Sequence, residues 1–352
     1  MSLQLGSQQF AAFKFETVRN TAELVPDIVF KISEDSVKLE KENVNDAIIY
    51  GNRDNNYENR FTKKSVKGKI KGIINTKDLG YLLKMAMAQP TSSTTLGAST
   101  HTFRPLNLTA GVANLNLPSF TFFHSRGAFG IHKARGCAID ALTLTVGETE
   151  TTFEADIMGL DETEVTNGTE ITNIRAAISY SIPDPKLNFG NVVVKHASSF
   201  AGLVAGTVLN VRPDIKISIK NNIAFDLSSS SAPYAEATNF NTYAQKFEAS
   251  VELSFFAKTS SKALFDAFMS NTPSAQNRAF EIKLENQSYG VLGTSTLFNS
   301  ITFQIPQALP ICEIEQPMDG AISVNLKLEN LINTPAQGYS IQAILTNLTA
   351  NY

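Results

Sequence analysis

Most of the chain reads as short segments rich in Val, Ile, Phe and Thr in which apolar and polar residues alternate. That period belongs to strands with one buried and one wet face. Residues 140–158 show it best. Leu142, Leu144 and Val146 fall on one side with Thr143 and Thr145 on the other, Gly147 and Glu148 turn the chain, and Phe153, Ala155 and Ile157 resume the apolar face. This predicts a β-hairpin whose wet side carries Thr152, Glu154 and Asp156. Two segments break the period. Residues 76–88 place Leu79, Leu82, Leu83 and Met87 on one helical face, behind an opening Thr of capping type and an early Asp that suits the helix dipole. Residues 261–269 repeat the pattern with Leu264, Phe265 and Phe268. The expected class is mainly β, two tandem sandwich or half-barrel domains, with one helix flanking each.

The tandem arrangement comes from an internal repeat. Pro26-Asp27-Ile28 aligns with Pro213-Asp214-Ile215, and Val66, Ile70, Leu79 and Leu83 align with Val251, Phe255, Leu264 and Phe268. Further on, Leu142-Thr143-Leu144 pairs with Ile301-Thr302-Phe303, and Phe153, Ala155 and Ile157 with Val324, Leu326 and Leu328. Each half reads strand, strand, long loop, strand, helix, three strands. The expected organisation is an N-terminal arm over 1–25 and a first domain over 26–165 with an inserted loop at about 89–118. A linker over 166–212 follows, with candidate strands at 176–182 and 191–195, then a second domain over 213–332 and a C-terminal arm over 333–352. Both arms read as segments that a neighbour must order. The long loops, 45–61 and 228–246, are polar excursions carrying Tyr50, Arg53, Tyr57, Arg60, Tyr234 and Tyr243.

At 352 residues and 43% hydrophobic composition, the chain can supply a core for each half. A net charge of -3 from 30 basic and 33 acidic residues gives neither a nucleic-acid grip nor an acidic tail. The opening residues lack the apolar core of a signal peptide, and no stretch approaches the roughly 20 apolar residues of a membrane span. A soluble chain made in the cytoplasm, with no membrane contact, is expected. Cys137 and Cys312 have no metal-binding spacing and read as buried thiols. The histidines, His101, His124, His132 and His196, match no metal motif, and no nucleophile elbow, P-loop or dinucleotide fingerprint is present. His124 and His132, near Arg126 and Arg135, flank a Gly-rich stretch and read as a surface turn. Lys67, Lys69 and Lys71 share one strand face, which reads as solvated or carboxylate-paired because no aromatic platform lies between them. Phe120, Phe122 and Phe123 read as packing core. No catalytic residue, cofactor or metal is assigned.

The first half carries SVKGKIKGIINTKDLGYLLKMAM, HTFRPLN, LPSFTFFHS and GCAIDALTLTVGETETTFEADIMGL; the second carries FEASVELSFFAKTSSKALFDAFMSN and STLFNSITFQIP. In this order the segments resemble the tail tube proteins of long-tailed bacteriophages. The resemblance implies a structural subunit whose inner sheets join around an axis into a continuous barrel, in rings that stack into a tube conducting double-stranded DNA without reading its sequence. Two such domains per chain imply trimeric rings with pseudo-sixfold symmetry. The inserted loop and uneven halves leave a hexamer of one elaborated domain open. The implied partners are the chain itself, tail terminator and tail-tip proteins, and the tape measure protein, and the implied location is the virion tail. Such a lumen must not grip phosphates, so Glu154 and Asp156 are the candidates to line it in place of an unpaired lysine stripe. The tyrosines and arginines of the long loops are candidates for ring-to-ring contact. Rival readings are a secretion tube, a terminator ring and a monomeric β-sandwich binding module; the last expects an exposed aromatic patch, and the chain has no Trp.

Overall fold

The computed structural model describes residues 10–45, 59–105, 117–179, 187, 190, 192–228, 238–258, 261–270, 272, 276–315, 322–329, 331–334 and 336–352. The first half contains β1 (Ala11–Phe15), β2 (Ile28–Phe30), β3 (Ile32–Asp35), β4 (Lys38–Asn45), β5 (Asn59–Ile73), α1 (Thr76–Met87), β6 (Thr91–Thr95), β7 (Ala98–Phe103), β8 (Phe120–Ser125), β9 (Ile131–Val146), β10 (Thr151–Gly159) and β11 (Asp161–Glu164). The second contains α2 (Gly168–Ala177), β12 (Val192–Ala197), β13 (Thr207–Leu209), β14 (Ile215–Lys220), β15 (Ile223–Ser228), β16 (Thr238–Ala244), β17 (Glu248–Phe256), α3 (Lys262–Met269), β18 (Arg278–Val291), β19 (Phe298–Glu315), β20 (Ser323–Glu329) and β21 (Gln342–Asn347). The class is mainly β, as the alternation predicts.

One long antiparallel sheet runs in the order β3/β4, β5, β10, β9, β14, β17, β20, β19. Its apolar face is buried: Val66, Ile70, Phe153, Leu144, Ile217, Val251 and Leu326 all belong to one core that runs through both halves. Two outer layers cover that face. Strands β2, β1, β8, β9 and β11 form one, and β13, β12, β18, β19, β21, β7 and β6 the other. The long strands β9 and β19 belong to both levels. β9 pairs with β8 as far as Cys137 and with β10 from Ala138 onward. β19 pairs with β18 as far as Ala308 and with β20 from Leu309. Gly136 makes the first crossing at φ +60, where a Cβ would sit 2.6 Å from Leu160, so only glycine fits there. Phe13, Phe120 and Phe122 pack around each other at 5.1–5.4 Å, and Phe30 reaches across to Phe153 at 5.9 Å. The alternating Phe run is core, as expected.

Ladder register corrects the repeat alignment. Val66 lies opposite Gly159 and Val251 opposite Leu328. If Val66 corresponds to Val251, then Leu328 corresponds to Gly159 and not to Ile157, a two-residue slip that leaves the buried face unchanged. Ile301-Thr302-Phe303 lies in the outer layer between β18 and β21. The segment that pairs with β20, and so takes the place of Leu142–Leu144, is Leu309–Glu315.

Several expected loops and arms are ordered structure. The insertion at 89–118 contains the hairpin β6–β7, whose second strand pairs with β21. The linker carries α2, which takes up Ala176 and Ala177 of the expected strand at 176–182, and its Ile174 packs on Phe123 and Ile131. Within the same linker, β12 realises the strand expected at 191–195. The supposed arms are integral. β1 sits between β2 and β8 with Phe13 buried, and β21 sits between β19 and β7 with Leu345 buried. Hydrogen-bonded neighbours on both sides within the same chain order these segments. Helix α1 is where periodicity puts it, but its cap is Asn75, whose side chain accepts from the Asp78 backbone N–H while Thr76 is already helical.

Candidate assembly interface

The face of the long sheet away from the core is polar and open. Alternation on β5 brings up Lys67, Lys69 and Lys71, and antiparallel register sets Asp156 opposite Lys69 and Glu154 opposite Lys71. Lys69 Nζ lies 2.6 Å from Glu154 and 3.4 Å from Asp156, and Lys71 Nζ lies 3.2 Å from Glu34 and 3.4 Å from Glu154. The lysine stripe is therefore carboxylate-paired and shares a face with Glu154 and Asp156; the two were not alternatives. The Lys69 hydrogen bond holds the Glu154 carboxyl below its usual range. Burial raises that of Asp156 despite Lys69. Lys69 is itself raised by its hydrogen bond to Glu154. In the second half, Lys327 meets Glu329 at 2.7 Å and Glu252 at 3.7 Å on the same face. Exposed pairs of this kind contribute little to stability, but they cancel each other's field. A shallow cleft of about 780 Å³, lined by Arg212, Asp214, Lys216, Glu252, Glu313 and Lys327, mixes both signs in the same way.

The two halves meet in an ordinary ladder. β9 pairs with β14 from Val146↔Ile215 to Ala141↔Lys220, and the Thr143 and Ser218 hydroxyls lie 3.2 Å apart across it. Among the described residues the sheet ends on β3/β4, paired only with β5, and on Leu309–Glu315 of β19, paired only with β20. These two ends are the counterparts of β14 and β9. Each leaves a row of unpaired backbone groups, the condition under which strands recruit another chain. On the β19 edge, Ile314 is 44% exposed and Leu309 37%. Glu313 and Glu315 add acid there, whereas β4 carries both signs, Lys38 and Lys41 with Glu40 and Glu42.

The long polar excursions prove to be hairpins in their described parts. β4 and β5 stay paired out to Asn45↔Asn59, and β15 and β16 from Ile223↔Ala244 to Ser228↔Thr238. Arg60 lies on β5 opposite Val44 and Tyr243 on β16 opposite Ala224. Tyr50, Arg53, Tyr57 and Tyr234 lie outside the described residues. The Gly-rich stretch between His124 and His132 is a surface turn, with Phe129 78% exposed, but the His124 side chain itself is 1% exposed and is held by carboxylates from two other strands. Sequence reasoning missed this because partners at 35 and 162 are remote along the chain. It missed the β9–β14 joint for a related reason, since alternation marks a half-buried strand without naming its neighbour. Cys137 and Cys312 are free and buried, and burial pushes Cys312 up to about 11.

A long sheet with one polar face, paired charges and two free edges defines a β-sandwich subunit open to pairing at its edges. The family comparison agrees: the chain belongs to the phage tail tube protein family, whose model matches residues 6–327. Its role is structural and its place is the virion tail. Comparison with curated proteins gives no match. Among the described residues, no helix is long and apolar enough to cross a membrane.

Proposed function

We propose that the chain forms homotrimeric, pseudo-sixfold rings that stack into a hollow tube through which DNA passes. The observation that carries this reading is the β9–β14 ladder. It joins the last strand of one half-sheet to the first strand of the next, and the free β19 and β4 edges are the same two strand types awaiting the same joint between molecules. Head-to-tail joints that close produce a ring. The sheet order gives eight strand positions per chain. Three chains thus supply about 24 strands, which at about 4.8 Å spacing and about 40° tilt close at roughly 48 Å between backbones. Six chains would double that width, far beyond what a duplex requires.

On this reading, residues 26–165 and 213–332 supply the inner sheets of two tube domains, whose outer layers also take in β1, β12, β13 and β21. Glu154 and Asp156 line the lumen together with Lys67, Lys69 and Lys71. A lumen of paired charges offers phosphates few free cations, so DNA slides without a strong salt-dependent hold. The β4–β5 and β15–β16 hairpins, with Tyr50, Arg53, Tyr57, Arg60, Tyr234 and Tyr243, make the ring-to-ring contacts. The tape measure protein fills the lumen before DNA, and terminator and tip proteins cap the two ends. Electron microscopy of the purified chain tests this: stacked rings of three chains are expected. Sixfold rings of whole chains would refute the trimer, and single rings that never stack would point to a terminator.

A further inference from the structure

A buried ionic cluster sits behind the free β4 edge. His124 on β8 places Nδ1 2.9 Å from Asp35 Oδ2 and Nε2 3.2 Å from Glu162 Oε1. A neutral imidazole has one N–H and one lone pair, so one of these carboxylates would then face a lone pair. Only the imidazolium can donate to both. Its surroundings hold the charge in place: the Glu162 side chain is 3% exposed and that of Asp35 12%. Arg126, at the end of β8, reaches Glu162 at 2.8 Å, and His132 on β9 reaches it at 3.0 Å. The His132 side chain, 21% exposed, is open to water.

The cluster grips one point of the backbone. Asp35 Oδ1 accepts from the Val37 N–H at 2.9 Å, and Arg126 Nη2 donates to the Val37 carbonyl at 2.9 Å. Residues 35–37 link β3 to β4. Beneath them lies Gly68, where a Cβ would stand 2.4 Å from Val37 Cα, so the link seats directly on the β5 backbone. We infer that the proton on His124 is a structural ligand that fixes this link, and with it the inner sheet's free edge. When the proton leaves, the ring keeps one N–H and loses the other, and loss of the donor on the Asp35 side releases that end of the clamp on β4.

The titration has a definite sign. Burial works against charge on His124, but the hydrogen bonds to Asp35 and Glu162 outweigh it and leave the imidazole above its ordinary value. Burial likewise pushes Glu162 up, and the His124 hydrogen bond with the charges of His124, Arg126 and His132 brings it below its ordinary value. The His124 contribution is complete below an unfolded value of about 6.5 and is lost as pH rises through the raised folded value. The Glu162 contribution is complete above the ordinary carboxylate range and is lost as pH falls through its lowered value. The edge is fixed from mildly acidic to neutral pH and loosens with alkalinity.

The consequence for ring closure rests on the assembly reading, but the test does not. Backbone hydrogen exchange of the full chain, corrected for intrinsic rates, is followed from about pH 6 to about pH 9. Protection at residues 35–39 should fall by about tenfold or more across the His124 titration, while the β5–β10 ladder holds. His124→Gln should give low protection without that pH step, and His132→Gln should keep the step. A flat wild-type profile, an unchanged profile in His124→Gln, or a step that vanishes in His132→Gln would overturn the inference. If His124→Gln does not fold, imidazole nitrogen shifts in the wild type decide, a neutral ring at neutral pH being the refuting result. Failure to form tubes would leave this readout intact, and a flat profile would leave the trimer intact.

Discussion

At the residue scale, Gly80 shows how a local cost acquires a tertiary reason. A glycine inside a helix costs about 1 kcal/mol against alanine, and nothing in the helical pattern of α1 accounts for it. A Cβ at position 80 would lie 2.1 Å from the ring of Tyr352. That ring packs edge-on against Tyr81 at 4.9 Å and His101 at 4.7 Å, and its hydroxyl points to the Thr76 carbonyl. Gly80→Ala should therefore lower stability by about 1–3 kcal/mol, as overpacking does, despite its better helix propensity. Urea unfolding gives the number; an unchanged or raised midpoint would contradict the packing account. Combining it with Tyr352→Leu should restore part of the loss, because residues in contact are not additive. The lysine stripe teaches a complementary lesson. Alternation alone put Lys67, Lys69 and Lys71 on one face, but their neutralisation depends on the β5–β10 register, which sets Asp156 and Glu154 opposite them.

At the element scale, strands with one wet face were legible and strands with other surroundings were not. β10 and the 142–146 end of β9 alternate strictly, and both are expected. β6 is Thr91–Thr95, exposed at every position, so it has no apolar period to betray it. β21 is buried on both faces, a pattern that periodicity cannot separate from a short apolar tail. The cap of α1 was placed one residue late because Asn and Thr are both capping types; the backbone decides, Asn75 being extended at ψ 173. The edge of β19 carries the element-scale prediction. Ile314→Lys adds a charge to an exposed edge position, a standard guard against strand recruitment. The variant should fold with an unfolding midpoint close to that of the wild type, yet form no rings in sedimentation or negative-stain images. Tubes of normal yield would move the joint away from this edge.

At the scale of the whole molecule, the two repeats are not independent. The β9–β14 ladder joins their inner sheets, and β7, from the first half, pairs with β21, from the end of the second. Asn221 donates to the carbonyls of Ala86 and Ile139, each at 2.9 Å, and Asn347 donates to the carbonyl of Thr76 at 3.1 Å. The unassembled chain should accordingly unfold in one calorimetric transition whose van't Hoff and calorimetric enthalpies agree. Two resolved transitions would show that the joint is weaker than either half.

The sequence by itself determined the strand-rich class, the two amphipathic helices, and the strand face shared by Lys67, Lys69 and Lys71 and that shared by Glu154 and Asp156. All of these follow from periodicities of a few residues, which any local stretch displays. Only the tertiary structure decided the rest: which strand lies beside β9, where β19 changes layers, why β1 and β21 are built into the outer layers, and which carboxylates enclose His124. Each is a meeting of residues far apart along the chain. The free energy of such a meeting lies in the contact and in the water it excludes, and neither segment carries a mark of the other until both are folded.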